Sequence, residues 1–214
     1  MGDTSSMTAI QKDIAIDILL RLLSCLCIGY FALRAVGAFM NDPSRITLMF
    51  AVVSEMTTIV ISLASRRPPQ RDWAPMTVIA TVYAGSLFPA LIDVEPGIGL
   101  LNEKICAVLQ AVGFMWAIHS KLALGRSFGW LPADRGIVES GPYRFVRHPI
   151  YLGYFIAQIG FLAANFSVQN LIVYISLYAA QIYRIFKEES FLLGNEAYRD
   201  YTKRVRYRLI YGIF

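Results

Sequence analysis

The chain has 214 residues, of which 56% are hydrophobic and 16% charged, with a mean hydropathy of +0.50. Soluble domains carry about 25% charged residues, so too few polar side chains are present to cover a globular surface. This argues against a soluble dinucleotide enzyme, a disordered chain or a secreted disulfide scaffold, and the sequence reads as an integral membrane protein. The formal charge of +5 is assigned to membrane orientation rather than to nucleic acid. Cys25, Cys27 and Cys106 sit in apolar stretches, and the two histidines, His119 and His148, form no metal pattern. Neither a nucleic-acid partner nor a metal is expected.

A hydrocarbon core needs roughly 20 apolar residues per helical span. Six stretches qualify: 14–40, 46–64, 74–92, 98–124, 150–166 and 168–183. Lys12 alone is basic ahead of the first stretch and no small-x-small site follows, so a cleavable signal is not expected. Asp17 and Arg21, spaced i,i+4, are expected to neutralise each other on one helix face. Glu55, inside the second stretch, should face protein or a cavity, because a charge in lipid is costly. His119 reads as a packed or interfacial residue. From Ile150 to Tyr183 there is no charged residue or histidine. A straight helix of that length would overshoot a bilayer, so a break is predicted at Asn165-Phe166-Ser167. Two short arms would then form a hairpin over 150–183.

Lysines and arginines set the orientation. Arg66, Arg67 and Arg71 follow the second stretch; Lys121, Arg126, Arg135, Arg144 and Arg147 follow the fourth. Arg184, Lys187, Arg199, Lys203, Arg204, Arg206 and Arg208 follow the sixth. The alternate loops hold Arg45, and Lys104 offset by Asp93, Glu95 and Glu103. The expected fold is therefore all-α. It is a polytopic membrane bundle of about five or six transmembrane helices, with both termini cytoplasmic (in the inner membrane if the source is bacterial). Residues 1–124 supply the first four spans. Residues 125–214 carry the helical hairpin and the cytoplasmic tail.

Two polar clusters stand at the ends of that hairpin. GPYRFVRHPIY, Gly141 to Tyr151, opens with a Gly-Pro turn. Pro149 suits a first helical turn, where its missing N–H costs nothing. His148 then falls at the N-cap with Tyr151 one turn on, and free helix N-terminal N–H groups bind anions. His148 either contacts a bound group through its ring or simply caps the helix. RIFKEESFL, Arg184 to Leu192, places Arg184 and Glu188 at i,i+4 with Glu189 beside them. Each cluster alone reads equally as an interface anchor or a solvated helix end. A hairpin would bring the two together at one face.

These residues resemble the C-terminal region of the isoprenylcysteine carboxyl methyltransferase family, with its phospholipid methyltransferase relatives. The resemblance covers about 124–205. It rests on LGRSF at 124–128, GPYRFVRHPIY, Arg184 with Glu188-Glu189, and Gly194, Glu196, Tyr198 and Tyr201. Membrane sterol reductases have a similar RH-x-x-Y region. The resemblance implies an integral membrane methyltransferase using S-adenosylmethionine. It implies a first cofactor wall of Gly141, Pro142, Tyr143, His148, Pro149 and Tyr151, and a second of Glu188 and Glu189. Tyr198 and Tyr201 would cover the adenine. Arg184 and Glu189 would stand beside the reacting centre. The partners expected are the bilayer and a lipophilic acceptor entering from it, most simply a carboxylate. A carboxylate is already ionised at neutral pH and needs no base. An amine or thiol acceptor would need Glu188 or Glu189 to take a proton. An NADPH-dependent sterol-reductase-like enzyme and a non-enzymatic scaffold are the alternatives.

Overall fold

The computed structural model describes residues 3–64, 74–124 and 137–214. The Asp17 side chain, Arg66, Arg67, Arg71, Arg126, Arg135 and residues 125–128 of the LGRSF stretch lie outside what is described. Among the described residues the chain is helical, with no strand beyond an isolated bridge between Ile98 and Phe166.

Helix α1 covers Asp3–Asn41 and α2 covers Ile46–Ala64. Pro75 opens α3, Pro75–Val82, at a position where no N–H is needed. A π-helical turn, Tyr83–Leu87, joins it to the short α4, Phe88–Leu91. The turn is held from both sides. Ser86 bonds the Ser24 hydroxyl of α1 at 2.6 Å, and the Tyr83 hydroxyl meets Ser176 at 2.5 Å. Helix α5 spans Glu103–Leu124, α6 Pro149–Ala164, α7 Val168–Leu192 and α8 Glu196–Arg204. Among the described residues, two helices are long and apolar enough to cross a membrane, Arg21–Asn41 within α1 and Glu103–Leu124. Ile46–Val60, Met76–Leu91 and Pro149–Ala164 are shorter apolar helices.

The closest helix pair is α5 with α6. Its seam is made of small residues. A Cβ on Gly113 would come within 2.4 Å of the Ala157 nitrogen, and one on Gly153 within 2.6 Å of the Ala117 nitrogen. Backbone lies against backbone here, which only small residues permit.

Helices α6 and α7 run antiparallel and touch through long side chains instead. Phe161 meets Tyr174 edge-on, Phe155 meets Tyr178, and the Tyr178 hydroxyl donates to Gln158. Further on, Arg184 lies over the Tyr151 ring. Each contact steps back along α6 as it steps forward along α7. The chain reverses at 165–167, where Ser167 caps α7 by accepting from the Asn170 N–H.

The reversal is knitted to two other connections. Asn165 donates to the Thr47 hydroxyl and the Phe161 carbonyl, and accepts from Arg45 at 2.7 Å. Asn170 exchanges hydrogen bonds with the backbone of Asp93 and donates to the Asn165 carbonyl. Glu103 accepts from both the backbone N–H and the hydroxyl of Thr47, capping α2 across the bundle. Arg34 and Arg45 end on the carbonyls of Ile92, Val94 and Glu95. Arg34 and Arg45 are thus engaged by the connection after α4.

Candidate active site

The opposite end of α6 and α7 carries the polar cluster. Its geometry begins with Gly141, which adopts φ +61, a backbone region that glycine enters at little cost. This starts a 3-10 turn over Gly141–Arg144. The Tyr201 hydroxyl donates to the Tyr143 carbonyl at 2.7 Å, so α8 holds the turn in place. Tyr143, Tyr198 and Tyr201 are all buried, and the Tyr198 and Tyr201 rings lie 5.7 Å apart. Ile137, Leu192 and Val205 pack round the latter two.

Pro149 opens α6 and His148 occupies the N-cap with φ −123 and ψ 58. Its ring does not cap the helix. It stacks on Tyr151 at 5.8 Å and places Nε2 3.3 Å from Glu189 Oε1. The His148 ring thus meets Glu189 and Tyr151 rather than capping α6.

Glu189 is the centre of the cluster. Arg147 donates Nε to Oε1 at 2.7 Å and a second nitrogen to Oε2 at 3.3 Å, the fork geometry that suits guanidinium and carboxylate. Arg208 donates Nε to Oε2 at 2.7 Å. The Glu189 side chain is only 6% exposed. Burial pushes its carboxyl up, but hydrogen bonds from His148, Arg147 and Arg208 outweigh burial and hold the pKa at about 2. Arg147 uses its remaining reach on the carbonyls of Val205 and Arg206, both at 2.8 Å. The backbone N–H groups of Arg147 and His148 donate to the carbonyls of Tyr207 and Arg208. The segment after α8 therefore lies directly along the entry to α6.

Arg184 and Glu188 stand on the same side of α7. Arg184 is buried with its guanidinium carbon 5.6 Å from the Tyr151 ring centre. Glu188 is half-buried, makes no hydrogen bond to a described residue, and its charge is felt by Tyr143, Tyr151 and Tyr198. Burial first, then the charges of Glu189 and Glu188, push the Tyr198 phenol up. Burial does the same to Tyr143 and Tyr201. All three phenols stay protonated at neutral pH, and that of Tyr201 donates to the Tyr143 carbonyl.

The candidates therefore gather from three segments: 141–151, 184–189 and 198–201. Arg147 and Arg208, not singled out as site residues from the sequence, complete the cluster. Arg147 carried a signal, since it adjoins His148 within the GPYRFVRHPIY string. Arg208 carried none, because it sits beyond α8 in a segment without periodicity. His119 is exposed, and a Cβ on Gly141 would lie 3.7 Å from its Nε2, which puts it beside the turn.

Comparison with known proteins singles out the same region. Residues 104–194 match the model of the isoprenylcysteine carboxyl methyltransferase (ICMT) family. A relative from Schizosaccharomyces pombe, Protein-S-isoprenylcysteine O-methyltransferase, is 36% identical over 90 residues. That match covers 38% of this chain and 38% of the relative, so it spans well under half of either protein. Over residues 104–194, from α5 to the end of α7, the chain is thus similar to the isoprenylcysteine carboxyl methyltransferase family.

Proposed function

We propose that the protein is a polytopic integral membrane methyltransferase that uses S-adenosylmethionine to methylate a lipid-linked carboxylate of the isoprenylcysteine type. The observation that carries this reading is a coincidence in space. The segment matched by the family ends near Glu189, and that residue folds back onto His148 in the middle of the same segment. The name of the yeast relative, an O-methyltransferase for protein S-isoprenylcysteine, supplies the acceptor class.

The residues fit the donor. A sulfonium is cationic and its nucleoside carries hydroxyls and an aromatic base. Glu188, with no hydrogen bond to a described residue and with Tyr143, Tyr151 and Tyr198 near it, offers a carboxylate among aromatic faces. When bound, S-adenosylmethionine supplies an electrophilic methyl group for in-line attack. Arg184, over the Tyr151 ring, orients the acceptor's two oxygens by its guanidinium fork. Glu188 faces the positive charge of the donor. Glu189 holds Arg147, Arg208 and His148 in register and so fixes the wall of which His148, Pro149 and Tyr151 are part. Gly141, Pro142 and Tyr143 form the turn beside it, and Tyr198 and Tyr201 close it from α8. An ionised carboxylate needs no base, so no residue need accept a proton.

The test is transfer of a tritiated methyl group from S-adenosylmethionine into a total membrane extract by purified protein. Saturable donor binding and base-labile label are expected, with Glu188→Ala reducing donor affinity by about tenfold or more. Absence of saturable binding by folded protein, or saturable binding of NADPH in its place, overturns the reading. Base-stable label shifts the acceptor to an amine or thiol.

A further inference from the structure

Before it reaches Glu189, the Arg208 side chain passes between two aromatic rings. Its guanidinium carbon lies 5.2 Å from the Phe186 ring centre and 5.3 Å from that of Phe214, and the two ring centres are 5.9 Å apart. Arginine suits such a slot, because its flat cation is attracted to rings while its N–H groups still donate. Here Nε donates to Glu189 Oε2 at 2.7 Å. Phe186 stands on α7 about one turn ahead of Glu189, so the helix alone places it. Phe214 arrives by another route. Leu209 and Ile210 donate their backbone N–H groups to the Phe214 backbone oxygen at 2.7 and 2.9 Å, and Ile213 and Phe214 donate theirs to the Ile210 carbonyl. Residues 209–214 therefore close a loop on themselves, with Leu209 buried at its base. Gly212 makes the closure at φ +85, a left-handed conformation that strains a residue bearing a Cβ.

The loop lies outside residues 104–194, the stretch similar to the methyltransferase family. It reaches the cluster through Arg208. On Glu189, Oε1 is held by Arg147 at 2.7 Å and faces His148 at 3.3 Å, whereas on Oε2 the Arg147 contact is the longer one, 3.3 Å, and Arg208 supplies the short bond. Arg208 thus decides how the carboxylate is turned towards His148. Its side chain is 34% exposed, and a long side chain in contact with solvent loses much rotamer freedom when held in one geometry. The two rings supply that restriction. We propose that the 209–214 loop is a positioning device for the donor wall: Phe214, set by Gly212, confines Arg208 against Phe186, and Arg208 fixes the Glu189 carboxylate on His148. Gly212, Phe186 and Phe214 touch neither donor nor acceptor. The link from His148 to the donor rests on the methyl-transfer reading, while the confinement of Arg208 does not.

Two measurements on the full chain in detergent keep these apart. The first is the thermal midpoint without donor. Phe214→Met, which removes the ring and keeps an apolar side chain of similar size, should lower the midpoint by about 2–4 °C. In an Arg208→Gln background it should change nothing further, because no cation is left to confine. Phe214→Tyr should retain the wild-type midpoint. Gly212→Ala, whose Cβ meets nothing within 4 Å, should match Phe214→Met, and Ile213→Ala, at an exposed position of the same loop, should match wild type. If Arg208→Gln does not fold, the contrast between Phe214→Met and Phe214→Tyr decides alone, since a packing role is served by either. The second measurement is equilibrium dialysis with radiolabelled S-adenosylmethionine. Phe214→Met should weaken binding about tenfold, as loss of one charged hydrogen bond predicts, and Phe214→Tyr should restore it. Wild-type protein that binds no donor overturns the methyl-transfer reading and leaves the thermal midpoints to decide the proposal. Equal midpoint losses from Phe214→Met with and without Arg208, equal midpoints for Phe214→Met and Phe214→Tyr, or undiminished donor binding by Phe214→Met overturns the proposal.

Discussion

Glu189 and Arg147 form a buried ion pair with His148 and Arg208 at its edges. Removing one member of such a pair strands the other, at a cost of about 3–5 kcal/mol. Glu189→Leu should therefore destabilise the fold by that order, read as a lowered thermal midpoint in detergent, whereas Lys203→Ala, at an exposed and solvent-screened pair, should leave the midpoint unchanged. The pH dependence follows from the depressed carboxyl. Its contribution is complete above the unfolded glutamate pKa of about 4.3 and is lost as pH falls towards about 2. The stability difference between wild type and Glu189→Gln should accordingly be constant from neutral pH down to about 4.3 and shrink below it. A difference that widened on acidification would count against the assignment. At this scale His148 and Glu189 could be picked from the sequence because both lie in compact motifs at helix ends. Their partner Arg208 could not, since its position depends on an extended backbone pairing with residues 147–148.

Between elements, two kinds of packing meet on α6. Towards α5 the contact is close and made of Gly113, Gly153, Ala157 and Gly160; towards α7 it is made of rings and long polar side chains. Gly153→Leu should separate α5 from α6 and abolish the folded, monodisperse protein, because the Cβ alone would meet backbone at 2.6 Å. Gly29→Ala, with nothing within 4 Å, should be silent. At the reversal, Asn165→Ala would leave Arg45 and the Thr47 hydroxyl short of partners at a cost of about 1–3 kcal/mol. The break at 165–167 was legible because an uncharged run of that length cannot be one helix in a bilayer. The seam with α5 was hidden, because small residues carry no hydropathy signal. The interruption of the third stretch by a π-helical turn was hidden as well, since it depends on Ser86 and Tyr83 finding partners on α1 and α7.

Across the whole molecule, polar chemistry divides between two ends. At one, Arg34, Arg45 and Glu103 are spent on helix ends and connections. At the other, Arg147, Arg184 and Arg208 surround the candidate site. The apolar surface left between them includes exposed Leu26, Leu33, Val108 and Met115 on the two longest apolar helices, which suits contact with lipid. Shorter apolar helices such as α6, with 16 residues, reach only about 24 Å at 1.5 Å per residue. This is why apolar runs in the sequence do not translate one-for-one into helices long enough to span. We propose that the end bearing Glu189 faces the cytoplasm. Single cysteines placed at Ser190 and Gly99 in a Cys25→Ser, Cys27→Ser, Cys106→Ser background test this. Position 190 should react with a membrane-impermeant maleimide in inside-out vesicles and position 99 in right-side-out ones. The reverse pattern would invert the topology.

The stepwise meeting of α6 with α7 also constrains how such a chain can change over evolution. His148 and Glu189 are 41 residues apart, and the two arms rotate about 100° for each residue added. A single insertion inside α6 or α7, between the reversal and the site, would turn one arm away from the other and swing Arg184 off Tyr151 and Glu189 off His148 together. Lengthening is compatible with the site only when both arms grow by matched whole turns. Related sequences that retain the cluster should thus show gaps before Gly141, at 165–167 or after Leu192, and undisturbed helices between these points.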